Sequence, residues 1–221
     1  MEIANPIYDA VFDNMMKNNT VAKLLLSTII EEEIVSLEPQ PQEDPPLTGY
    51  RLNFFAKVKL SDGQYKNIII DVQKAESSED IVRSQPYLYE KYLDSYSYTI
   101  ENEETDIMQV YAIYFLEQGL EKYDTPVLNI LPEIRDLSTG KIIDVRNPLI
   151  DGLYHRFWIV QINRLKKPCR CELEQLVSIF DQNNRTSNSH ILDVREEDFP
   201  KKYLPIIRLL ESIANDSKRK K

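Results

Sequence analysis

The chain has 221 residues, 42% of them hydrophobic and 29% charged, and carries a formal net charge of -9. That is enough apolar chain for one sizeable core and too little for two well-formed ones, so a single domain over residues 1–221 is expected. The negative charge excludes nucleic-acid binding by global attraction, because such affinity rests on counterion release by cationic side chains.

Any contact with DNA must therefore be local, through a basic patch or a bound divalent cation. Lys218-Arg219-Lys220-Lys221 is such a patch, although four basic residues at a chain end more often form a solvated tail. No apolar run has the length needed to cross a bilayer, and the first ten residues hold neither a positive region nor a leader-like apolar stretch. A cytoplasmic protein with no membrane partner is expected. Cys169 and Cys171 stand too close for an ordinary disulfide and lack the spacing of a zinc site, and neither His155 nor His190 completes a ligand pattern with them. Both are read as free thiols.

The opening segment predicts a helix capped by Asn5, with Pro6 in its first turn and Ile7, Val11, Phe12, Met15 and Met16 at helical spacing. A second helix follows, with Thr20 as its cap and Val21, Leu24, Leu25, Thr28 and Ile29 as its stripe. Residues 34–37 read as a short strand. The proline-rich segment 38–49 reads as a loop within the domain, since too little chain precedes it to fold alone.

From Arg51 to Leu60 apolar and polar residues alternate with the period of a strand, and Ser61-Asp62-Gly63 signals a hairpin turn. The second arm, residues 67–73, is apolar on both faces and so is expected to be central. Ser77-Ser78-Glu79-Asp80 resembles a capping box and opens a helix running to about Tyr96, kinked or restarted at Pro86. Residues 110–116, 127–131 and 157–162 read as strands. Short helices are expected around Leu173–Phe180 and Ile206–Ile213, with a polar loop at 182–189 between them. The order of elements makes this an α/β protein.

The chemistry concentrates on the second arm of the hairpin. Residues two apart in a strand share a face, which puts Asp71 and Gln73 together and brings Asn53 of the preceding strand within reach of Asp71. A carboxylate inside Ile68-Ile69-Ile70-Asp71-Val72 is costly to bury unless it is paired or bound to a metal. A hydrolytic Mg2+ site needs such oxygen ligands, a positioned water and a polar group to orient it; Asp71 and Asn53 could serve as ligands, with Gln73 or Lys74 beside them. The blander alternative is a structural Asp71, hydrogen-bonded at a strand end or paired with Arg83. Tyr87, Tyr89, Tyr92, Tyr96 and Tyr98 could stack on bases, but tyrosines at helical spacing are more often packing residues.

Asp9-x-x-Phe12, Arg51-Leu52-Asn53-Phe54, Asp62-Gly63, Ile70-Asp71-Val72-Gln73-Lys74-Ala75 and Asp80-Ile81-Val82-Arg83 occur in that order. Together they resemble the PD-(D/E)XK nuclease family transposases, relatives of the recombination-promoting nucleases. Tyr111 to Leu116, His155 and Ile179-Phe180-Asp181-Gln182 fit the variant common in Bacteroidetes. The resemblance covers residues 5 to 185 and implies a restriction-endonuclease-like mixed central sheet flanked by helices. It further implies a DNA endonuclease dependent on Mg2+ or Mn2+, working on DNA, and a homodimer where both strands are cut. Carried over by position, Asp71 is the second-strand acid, Gln73 the third-position residue that orients the attacking water, and Asp9 the helix acid. Asn53 stands where the first-strand Asp is expected, so one charged metal ligand becomes a neutral amide. An inactivated nuclease fold retained as a binding or regulatory module is the alternative that this departure raises.

Overall fold

The computed structural model describes residues 1–41, 50–101, 108–143 and 154–219. The helical spacing near the N-terminus produces α1 (Asp9–Lys17) and α2 (Asn19–Ile30), although neither begins at its expected cap. Asn5 is fully buried, and its amide accepts a hydrogen bond from Ile7 N at 3.1 Å and donates to Gln182 Oε1 and Ser189 O, both at 2.9 Å. It therefore fastens the N-terminal segment to the polar 182–189 stretch, and α1 starts four residues later. The second helix is capped by Asn18, whose Oδ1 accepts from Val21 N at 3.2 Å, in the place expected of Thr20. That helix stops at Glu31, in the left-handed conformation with φ 57°.

Strand β1 (Glu2–Ala4) pairs far along the chain with β8 (Ile191–Asp193) as a small antiparallel ribbon. The main sheet has six strands: β2 (Glu33–Pro39), β3 (Tyr50–Lys59), β4 (Tyr65–Ala75), β5 (Gln109–Leu116), β6 (Val127–Ile130) and β7 (Arg156–Gln161). Their order across the sheet is β2-β3-β4-β5-β7-β6. The first three form an antiparallel meander, β5 and β7 lie parallel to β4, and β6 runs antiparallel to β7 at the far edge. This is a mixed α/β architecture with a mixed sheet flanked by helices. Strand β2 extends to Pro39, into the segment expected to be loop, and residues 42–49 of that segment lie outside the described residues.

The two faces of the sheet are covered unequally. Phe54, Ala56, Val58, Ile68, Ile70, Val72, Ile113, Phe115, Trp158 and Val160 face the larger core with α1, α2 and α5 (Leu204–Arg219). Leu176, Val177, Ile179 and Phe180, from α4 (Glu172–Val177) and the 3-10 turn after it, complete that side. The opposite face is covered by α3 (Ser78–Glu101), which passes Pro86 as one helix even though proline withholds a backbone donor there. Its underside contributes Leu88 to a smaller cluster with Val110, Ala112, Tyr114, Leu116 and Ile159. Among the described residues no helix is long and apolar enough to cross a membrane.

Two polar devices finish the frame. Along α2, Asn19 donates to Leu37 O at 2.6 Å, Lys23 donates to Val35 O at 2.8 Å, and Ser27 Oγ accepts from Ile34 N at 3.1 Å. These three residues are spaced by four, so one helix face satisfies the outward backbone groups of edge strand β2. At the end of β7, the fully buried Gln161 accepts from Leu120 N and donates to Thr125 O, both at 2.6 Å, which pins the chain between β5 and β6.

Candidate functional site

The residues expected to carry chemistry sit mostly on the α3-covered face. In the β3–β4 ladder Asn53 stands opposite Asp71, and Arg51 opposite Gln73. On the next strand the neighbours of Asp71 and Gln73 are Ala112 and Tyr114. The four polar residues are deeply buried: Asp71 is 0% exposed, Asn53 2%, Gln73 4% and Arg51 8%.

The carboxylate is met by protein groups on several sides. Gln73 Nε2 donates to Asp71 Oδ2, and Arg51 Nε lies 3.5 Å from Asp71 Oδ1. The Arg51 guanidinium stacks 3.6 Å over the ring of Tyr87, a residue on the underside of α3. Asn53 Nδ2 donates to the Tyr87 hydroxyl. Asn53 Oδ1 is buried with no hydrogen-bond partner among the described residues. One turn earlier on α3, Ser84 Oγ and Tyr114 OH lie 2.8 Å apart. Burial, helped by the nearby Asp71 carboxylate, pushes the Tyr114 phenol well above the ordinary tyrosine range. Helix α3 is thus fixed over the polar cluster by Tyr87 and Ser84.

The donor set does not fit Mg2+ or Mn2+. A hard divalent cation favours anionic oxygens, and this cluster supplies one carboxylate whose charge is already opposed by Arg51. Asn53 adds a neutral oxygen, and Gln73 turns an N–H toward the carboxylate. Among the described residues no group of three or more His, Cys, Asp or Glu is placed to hold a metal ion.

Asp9 lies elsewhere. It is two-thirds exposed, and its Oδ1 is 2.5 Å from Lys74 Nζ. Lys74, adjacent to Gln73 in β4, points to the opposite face by strand alternation and also donates to Ile7 O. Neither Asp9 nor Lys74 joins Asp71. Both line a surface cleft of about 300 Å3 with Tyr50, Glu76, Asp80 and Glu117. Burial, together with Glu76 and Asp9 nearby, pushes the Glu117 carboxyl above its usual range against the opposing pull of Lys74. Arg83, a sequence-level candidate partner of Asp71, instead reaches Asp80 at 3.7 Å.

Two participants were not assigned to the Asp71 cluster by sequence reasoning, although Tyr87 stood among the tyrosines that could stack on bases and Arg51 within the Arg51-Leu52-Asn53-Phe54 motif. Arg51 was visible in principle, since it lies two residues before Asn53 in a strand and must share its face. Tyr87 had no such signal, because its position depends on where the crossover helix lands. Of the remaining candidates, Cys169 and Cys171 are free thiols, with burial pushing the Cys169 thiol up. His190 stacks on Tyr8 at 4.0 Å, and burial pushes His155 down.

Compared with known proteins, the chain matches no family model, no curated protein and no solved structure.

Proposed function

We propose that this chain is a nuclease-fold protein, related by descent to the PD-(D/E)XK transposases, that acts as a binding or regulatory module and not as a phosphodiesterase. The observation carrying this reading is the Arg51–Asp71 ion pair: a fixed internal cation lies against the one carboxylate that the family resemblance assigns to Mg2+. Asn53 in place of the first-strand acid supports it. A site that loses one anionic ligand no longer balances a divalent charge, whereas a single guanidinium balances a single carboxylate. The restriction-endonuclease-like fold belongs to the same proposal. It is supported by the mixed sheet flanked by helices and by the placement of Asp71 and Gln73 on its central strand β4, beside Asn53.

A second reading, a DNA endonuclease dependent on Mg2+ or Mn2+, is favoured by one observation. Asn53 Oδ1 is a buried oxygen beside Asp71 with no partner among the described residues, and an amide oxygen can ligate a hard cation. In that reading Asp71 and Asn53 would hold the ion and Gln73 would orient water, while Asp9, drawn to Lys74 in a separate cleft, would take no part.

Nicking of supercoiled plasmid in Mg2+ or Mn2+ separates the two readings. The protein as it stands is expected to leave the plasmid intact, as is Asp71→Ala. Cleavage that vanishes in Asp71→Ala would overturn the silent reading. Cleavage gained in Asn53→Asp would identify the site as an inactivated one.

A further inference from the structure

The outer face of α3 carries an apolar stripe that the polar cluster beneath does not use. Val82 is 68% exposed, Tyr89 61% and Leu93 45%, and Pro86 between them is also exposed. The steps from 82 to 86, 89 and 93 alternate four, three, four, the spacing of a seam between two packed helices. On the underside of the same helix, Ile81, Ser84 and Leu88 face the sheet, so the outer stripe adds nothing to the internal core.

We propose that this stripe is the contact between two copies of the chain, with their α3 helices packed antiparallel about a two-fold axis. The charges beside the stripe select a second copy as the occupant. When Val82 faces Leu93 of the other copy and Pro86 faces Tyr89, the residues following Val82 and Tyr89 lie on the same flank and meet across the axis. Those residues are Arg83 and Glu90, so the symmetric pairing makes two Arg83–Glu90 contacts. Shifting one helix by a heptad sets Glu90 against Glu90 and is disfavoured. Both side chains are exposed, and the reach of Arg83 to Asp80 within its own helix is a long 3.7 Å. A self-complementary patch of this kind is what two-fold symmetry requires.

The seam from Val82 to Leu93 is about 16 Å long, eleven residues of helical rise. That is short against an interface of roughly 1,200 Å2 or more, so the dimer forms with a dissociation constant in the micromolar range or weaker. The proposal does not depend on the nuclease reading, because Tyr87 and Arg51 lie under α3 and stay covered in either state.

Sedimentation equilibrium of the full chain over a wide concentration range tests it. A reversible monomer–dimer equilibrium is expected. Leu93→Asp should weaken it at least about tenfold, since a desolvated carboxylate replaces an apolar seam contact. Arg83→Glu and Glu90→Arg should each weaken it about threefold or more, and the two together should restore it to within about a factor of two. Circular dichroism reports whether each variant keeps its helix content, and the exposed charge pair provides the answer if Leu93→Asp unfolds. A monomer at every concentration, a dimer indifferent to Leu93→Asp, or a double charge reversal no tighter than the single ones would each overturn the proposal.

Discussion

Arg51 and Asp71 lie on adjacent strands, two ladder positions apart, with the guanidinium Nε 3.5 Å from the carboxylate and both side chains under α3. Replacing Arg51 with Met removes the guanidinium that lies beside a buried carboxylate. The expected loss is about 3–5 kcal/mol in chemical denaturation. Changing both partners at once, Arg51→Met with Asp71→Leu, should cost clearly less than the sum of the single changes. Additive losses would show that the pair is not coupled.

Asn53→Asp places a second carboxylate directly opposite the first. Without a divalent ion the pair repels inside a low-dielectric site, and the protein should lose about 1–3 kcal/mol. Thermal melts with and without Mg2+ distinguish two cases. A melting temperature raised by Mg2+ only in this variant indicates a restored ion site, and one insensitive to Mg2+ indicates that Arg51 still blocks it.

Tyr87→Phe keeps the ring under Arg51 and removes the hydroxyl that accepts from Asn53. A loss of about 1–2 kcal/mol is expected, the cost of leaving a buried amide donor unsatisfied. Hydrogen exchange should quicken along α3 more than along α5. Uniform quickening would mean that Tyr87 does not fix the helix in particular.

Gly119 approaches the end of β7 so closely that an added Cβ would meet Asn163 Oδ1 at 2.5 Å and Arg164 Nε at 2.9 Å. Gly119→Ala is expected to lower stability by about 1 kcal/mol or less, because the exposed Asn163 and half-buried Arg164 side chains can turn aside. Gln161→Leu should cost more, about 1–3 kcal/mol, because Leu120 N and Thr125 O lose their buried partner.

The Asp136 carboxylate accepts from Ser138 N, Ser138 Oγ and Thr139 Oγ1 at 2.6–2.8 Å, which draws its pKa down to about 2. A depressed folded-state value means that the turn's contribution is present above the unfolded value near 4 and is lost as pH falls toward 2. An NMR titration of this carboxyl should show a midpoint close to 2. A midpoint close to 4 would mean that the Ser138 and Thr139 bonds do not form in solution.

The hairpin was the most legible part of the chain. Alternation from Arg51 onward and the buried run through Ile70 placed Asn53 and Asp71 side by side, because strand period and a tight turn leave little freedom of register. The caps of the first two helices were misplaced by local rules. Asn5 has the chemistry of a cap, but a partner almost two hundred residues away in sequence claims its side chain. The ribbon of β1 and β8 was illegible for the same reason: three-residue strands carry too little period to be seen before their pairing is known. The split between Asp9 and Asp71 was also hidden. Motif order places both in one family pattern, and only the alternation that turns Lys74 to the other face shows that Asp9 is drawn to a different cleft.

The α2 side chains that seal strand β2 have a consequence for self-association. Extension of a sheet from molecule to molecule needs two available edges, one to give and one to receive. With Leu37 O, Val35 O and Ile34 N already engaged, this sheet can gain a strand only on the β6 side. Strand addition therefore terminates after one event, and an open-ended fibre cannot grow from the folded chain by that route.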